Sequence, residues 1–215
     1  RAAKGDAPIY HHAGGSSEDE ESAEKESFGR QIYKHLMNGV SHMLPFVIGG
    51  GILIALAFLF DDYNINPANF GKNTPLAAVL KTIGETSFNF MLPVLAGYIS
   101  MSIADRPGLA AGFVGGALAN SGITIASAFD SNISVVSGGF LGALFAGFLA
   151  GYLVLGIKKV LSFLPQSLEG LKPTLLYPLL GIGLVGAILL FVNPFFGTIN
   201  TGITNVLNSM GGASR

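Results

Sequence analysis

None of the 12 basic and 13 acidic residues of this 215-residue chain falls within five apolar stretches, residues 40–60, 88–104, 107–128, 135–157 and 175–196. A helix rises about 1.5 Å per residue, so roughly 20 residues cross a hydrocarbon core about 30 Å thick. Four stretches have that length, and the 17-residue stretch at 88–104 is expected to begin earlier. Only closed barrels and helices satisfy every backbone group in lipid, and runs this long and apolar specify helices. The expected fold is therefore all-α, a polytopic transmembrane bundle of about five spans with amphipathic helices at the interface. Charged residues make up 12% of the chain, against about 25% for soluble domains. A net charge of −1 offers no footprint for nucleic acid.

Residues 1–27 contain SSEDEESAEKE and almost nothing apolar to bury, which is the composition of a disordered acidic linker. It lacks the basic and apolar pattern of a signal peptide, placing the amino end in the cytoplasm. The chain begins at Arg1 and stops just after a Gly-Gly pair, so both ends are expected to be cuts in a longer polypeptide. With the amino end inside, five spans put Lys25, Arg30, Lys34, Arg106, Lys158, Lys159 and Lys172 on the cytoplasmic face. Lys72, Lys81 and Arg215 fall outside, a bias that supports this orientation in a cell membrane.

Helical spacing of Phe28, Ile32, Leu36 and Met37 predicts a short helix at headgroup level. A second interfacial helix is expected at 199–210, ended by Gly211-Gly212, and a short helix at 76–83 within the external loop 61–87. At the corner Asp105-Arg106-Pro107-Gly108, Asp105 is expected to cap the next helix and Pro107 to lie in its first turn. Pro45 followed by Gly49-Gly50-Gly51 predicts a bend or break in the first span, with similar interruptions at Pro93, Pro178 and Asn193-Pro194.

Glycine recurs every four residues at Gly108, Gly112 and Gly116, and in the stripe Gly139, Ala143, Gly147 and Gly151. Small residues at this spacing let helix backbones approach, so both stripes are expected to be packing surfaces, within the chain or across a dimer, with close approach of backbone to a substrate as the alternative. GIGLVG at 181–186 matches a dinucleotide fingerprint in letters only, because it lies inside an apolar span. There is no cysteine for a sulfur nucleophile, and His11-His12 has no further ligands nearby, so no catalytic residue, metal or cofactor is expected. Neutral polar residues inside the spans can exchange hydrogen bonds with an uncharged ligand without the cost of burying an ion. Asn89, Asn120, Thr124 and His42 are the substrate-binding candidates; interhelical hydrogen bonding is the alternative for each amide and hydroxyl, and an ordinary interfacial position for His42.

Three segments, GVSHMLPFVIGGG (39–51), SFNFMLPVLAGYISMSIADRPG (87–108) and NPFFGTINTGITNVLNSMGGAS (193–214), resemble the membrane permease component, enzyme IIC, of the bacterial fructose-type phosphotransferase system. The resemblance runs from about Phe28 to the carboxyl end. It implies a sugar carrier whose substrate, fructose or a related hexose, is phosphorylated by a neighbouring IIB domain supplied through IIA. Members have roughly ten spans, and a glutamate-containing loop of their second half contacts the sugar. No position here matches that loop, so the chain corresponds to the amino-terminal half. The resemblance further implies a homodimer in membrane lipid, to which the first five spans contribute most contacts.

The absence of Asp and Glu from the five stretches favours coupling to phosphorylation over coupling to an ion gradient. An ion-coupled sugar carrier and a dimerising scaffold without transport activity are the alternatives.

Overall fold

The computed structural model describes residues 27–130, 132–163, 170 and 172–212. The linker at 1–27 thus lies, except for Ser27, outside the described residues, as do Lys25 and Arg215. The chain divides into two compact units, residues 1–34 and 35–215. Of the first, only the turns that open helix α1 are described.

Among the described residues six α-helices follow in order: α1 Phe28–Leu59, α2 Pro75–Ala104, α3 Arg106–Ser121, α4 Ile125–Phe129, α5 Gly139–Leu161 and α6 Tyr177–Gly212. A 3-10 turn, Pro67–Asn69, lies between α1 and α2, and a π-helical turn, Lys172–Leu176, leads into α6. No strand occurs among the described residues. Among the described residues four helices, α1, α2, α5 and α6, are long and apolar enough to cross a membrane. Their outward side chains include Ile48, Ile52, Leu179, Phe191 and Phe195, all exposed. Such a surface is costly in water and suited to lipid.

The third expected span, residues 107–128, is not one helix. It is a 16-residue helix, about 24 Å long, that stops at Gly122 and is followed by the short α4. Gly122 has φ +69°, and a Cβ there would collide with the carbonyl of Val136 on the returning chain, so only glycine fits.

Of the four sites where a bend or break is expected, three lie within continuous helix, and Pro178 lies in the first turn of α6, just after the π-helical turn. Pro45, Pro93 and Pro194 lie inside α1, α2 and α6. A proline removes one helical hydrogen bond, and polar side chains of adjacent helices hold these segments in place. Ser87 Oγ donates to Phe46 O at 2.9 Å and Asn38 Nδ2 to Tyr98 O at 2.9 Å, tying α1 to α2 beside Pro45. The separate helices expected at 28–39, 76–83 and 199–210 are the ends of α1, α2 and α6. Continuing a helix satisfies each backbone group in place, and the glycines at the junctions, Gly39, Gly84 and Gly197, stay helical. As expected, the second span starts before Phe88. Thr74 caps α2, its side chain accepting from Ala77 N, and Pro75 occupies the first turn.

Helix α2 is central. Leu95, Ile99 and Ala96 are fully buried. The stripe Gly108, Gly112, Gly116 runs antiparallel down α2, and a Cβ on these glycines would meet Ser100 O at 2.6 Å, Ala96 O at 2.6 Å and Leu92 O at 2.7 Å. From the other side, a Cβ on Gly147 would lie 2.9 Å from the same Ala96 O, and one on Gly151 would lie 2.7 Å from Ile103. Two small-residue faces therefore clasp one helix, the close packing that replaces hydrophobic drive in lipid.

Candidate functional site

The interruption after α3 organises a polar cleft. A helix that ends leaves four carbonyls without partners, and in a poorly solvated setting each must be met locally. Gly122 N returns to Leu118 O at 3.0 Å, and Gly138 N donates to Ala119 O at 2.9 Å. Asn193, on α6 and fully buried, adds a second donor to Leu118 O and reaches past the break: its Nδ2 donates to Leu118 O at 3.0 Å and to Ile123 O at 2.6 Å. Beyond the break Thr124 caps α4, its Oγ1 accepting from Ser127 N at 3.1 Å while Ser127 Oγ accepts from Thr124 N at 2.8 Å. Asn200 Nδ2 donates to Ser137 O at 3.2 Å, tying the extended return segment to α6.

Between this interrupted segment and the second half of α6 lies a cleft of about 550 Å³, lined by Thr124, Ile133, Ser134, Val136, Pro194, Gly197, Thr198, Thr201, Gly202 and Asn205. Thr198 Oγ1 and Thr201 Oγ1 spend their protons on carbonyls of their own helix, Pro194 O at 2.8 Å and Gly197 O at 2.9 Å. Each hydroxyl keeps acceptor capacity toward the cleft. No ionisable side chain among the described residues lines it. The chemistry it offers is that of hydroxyls and an amide on an apolar floor, suited to a neutral polyhydroxylated ligand and unsuited to holding a charge.

A second cleft, about 500 Å³, lies between α1 and α2 and is lined by Ser41, His42, Pro45, Phe46, Phe90, Val94, Tyr98 and Phe113. His42 stacks on Tyr98 with ring centroids 3.8 Å apart and planes 10° apart. Its Nδ1 donates to Asn38 O at 2.8 Å, which fixes the tautomer and leaves Nε2 without a proton in the neutral ring.

The four candidates from the sequence are not brought together. Thr124 and His42 line different clefts, while Asn89, exposed on α2, and Asn120, half-buried on α3, line neither. Ser100 makes an interhelical bond, its Oγ donating to Gly108 O at 2.7 Å. Asp105 does not cap α3 through its side chain. Its φ of +58° turns the corner, and its carboxylate lies 3.3 Å from Lys158 Nζ instead. Ala143, Gly147 and Gly151 are buried within the chain, with Gly147 and Gly151 against α2. Gly139 stands apart from them, opening α5 with φ +58°. GIGLVG lies within α6, where a nucleotide loop cannot form. No group of three metal-ligating side chains occurs among the described residues.

Sequence reasoning missed the roles of Gly122 and Asn193 and the contributions of Ser134, Thr198, Thr201 and Asn205. One signal was available: Asn120-Ser121-Gly122 followed by Thr124 and Ser127 is a helix stop and a new cap inside an apolar run.

Four long apolar helices, an interrupted fifth and lipid-suited outer faces define a multi-pass helical membrane protein. The family model for the phosphotransferase system EIIC domain matches residues 37–214, and the chain belongs to that family. It is 45% identical to the PTS system fructose-specific EIIABC component of Bacillus subtilis over 98% of this chain and 32% of that protein. It is 42% identical to the PTS system fructose-specific EIIB'BC component of Haemophilus influenzae, over 96% of this chain and 34% of that protein. With the fructose permease IIC component of Bacillus amyloliquefaciens it shares 44% identity over 69% of this chain and 45% of that protein. The chain thus spans about one third of the length of the first two relatives and under half of the third. No solved structure matches it significantly.

Proposed function

We propose that this chain supplies the helical framework, and one polar cleft, of a permease that moves fructose or a related hexose across the cell membrane while a IIB domain phosphorylates it. The observation that carries the reading is family membership together with similarity to proteins named for fructose. The uncharged lining of the Thr124 cleft supports it, since a neutral sugar is bound by hydroxyls and amides without an ion being buried. Relatives named EIIABC and EIIB'BC carry A and B parts beside the C part, which makes IIB and IIA the partners of this reading. Phosphorylation on the cytoplasmic side traps the sugar, because a phosphate re-enters hydrocarbon only at high cost.

The amino end faces the cytoplasm in this reading, with the Asp105–Pro107 corner and Lys158 on the same side. Two copies pair in the bilayer through faces other than the stripe packed on α2.

Uptake by vesicles carrying the full-length protein tests the reading. Labelled fructose is retained only when phosphoenolpyruvate and the relay proteins are present on the IIB side. Retention driven by a proton or sodium gradient alone would establish an ion-coupled carrier instead.

A further inference from the structure

We propose that Asn193 is a positioning residue: its single amide bridges both sides of the break after α3 and so fixes the wall of the cleft lined by Thr124 and Ser134. Its place in transport rests on the function proposed above; the clamp itself does not.

Three observations converge on it. Leu118 O belongs to the last turn of α3 and Ile123 O to the chain beyond the break, and Asn193 Nδ2 donates to both, at 3.0 and 2.6 Å. Two local links also cross the break: Ser121 Oγ donates to Leu118 O at 3.1 Å and accepts from Ile123 N at 3.5 Å, and Gly138 N reaches back to Ala119 O at 2.9 Å; Asn193 adds the link that ties both sides to α6. Asn193 is fully buried, and its Oδ1 has no hydrogen-bond partner among the described residues. Leaving a buried amide oxygen unmatched is costly, and turning the amide over would set that oxygen against two carbonyl oxygens. The neighbours thus dictate a residue with two donors on one atom, at the length of asparagine. Pro194, next in sequence, lines the cleft directly, so a shift of the clamp is passed to the cleft wall.

The absence of cysteine makes the test direct. Nitroxide labels on Ser134→Cys and Asn205→Cys, on opposite walls of the cleft, report their separation in vesicles by pulsed electron resonance. The parent gives one narrow distance distribution at every pH. Asn193→Leu, of similar size and without donors, gives a broadened or shifted one; an unchanged distribution overturns the clamp. Asn193→Asp adds a pH profile that a merely space-filling role does not produce. A buried, neutral aspartic acid still donates one bond, and its ionised form donates none, so the distribution broadens between about pH 5 and about pH 9. Where Asn193→Leu fails to insert, a pH-independent distribution in Asn193→Asp overturns the proposal. In the full-length carrier, Asn193→Asp raises KM for fructose several-fold more than it lowers kcat. Broadening with unchanged uptake supports the clamp and removes the cleft from transport.

Discussion

The carbonyl oxygen of Ala96 lies so close to Gly147 that a Cβ on Gly147 would stand 2.9 Å from it, and Gly112 approaches the same oxygen from α3. Membrane helices gain little from apolar burial against each other, so this closeness is itself the source of cohesion.

Substituting either glycine by alanine forces helices apart. Gly112→Ala and Gly147→Ala are expected to destabilise by about 1–3 kcal/mol, the usual cost of overpacking. Gly49→Ala serves as the control, since nothing lies within 4 Å of its Cβ position, and higher helix propensity should stabilise it by up to about 1 kcal/mol. Thermal unfolding in detergent checks all three, and equal behaviour would count against the clasp. Gly147→Leu should likewise disturb the fold before it disturbs association between copies.

How much of this was legible in the sequence depended on whether the cause was local. The apolar stretches around Val94, Val154 and Leu189 announced spans because lipid imposes length and charge rules on each segment separately. The spacing of Gly108, Gly112 and Gly116 announced packing, but which helix they meet is a property of the assembled bundle. Pro45 and the glycines after it point to a bend or break, and α1 stays helical through them, whereas the break at Gly122 depends on Val136 and Asn193, 14 and 71 residues away. Thr124 was found as a polar residue in an apolar run. Thr201 and Asn205 fall in the separate interfacial helix expected at 199–210 and Thr198 just before it, and only the continuity of α6 carries them to the cleft.

The corner after α2 separates a weak ion pair from a stronger bond. Lys158 Nζ donates to Ala104 O at 2.7 Å, and Ala104 is fully buried, while the Asp105 side chain is 87% exposed. Asp105→Asn is expected to change stability by less than about 1 kcal/mol, as exposed pairs do. Lys158→Met, which leaves the Ala104 carbonyl without its charged donor, is expected to cost about 1–3 kcal/mol. Asp105→Gly should be more stable than Asp105→Asn, because a φ of +58° with ψ −157° suits glycine alone. Chemical denaturation of the three variants checks the order.

At the α1–α2 loop, partial burial opposes ionisation of Asp61, but backbone N–H groups of Asn73, Thr74 and Gly71 donate to its carboxylate and outweigh that, holding its pKa below the ordinary value. A depressed carboxyl contributes stability that is fully present above its unfolded pKa of about 4 and is lost as pH falls through the lower folded value. Exchange protection of the Gly71, Asn73 and Thr74 amides, corrected for intrinsic rates, should therefore hold at neutral pH and fall only in strong acid. Asp61→Asn should lose it at every pH, and amides that stay protected in that variant would show that the carboxylate does not organise the turn.

The chemical form of sugar retained by vesicles bearing the full-length carrier bears most directly on what this chain helps to do. Group translocation predicts that, with phosphoenolpyruvate and relay proteins supplied, essentially all retained fructose is recovered as its phosphate ester and that an ion gradient adds nothing. Free fructose concentrated inside under an ion gradient, with no phosphoryl donor present, would contradict it.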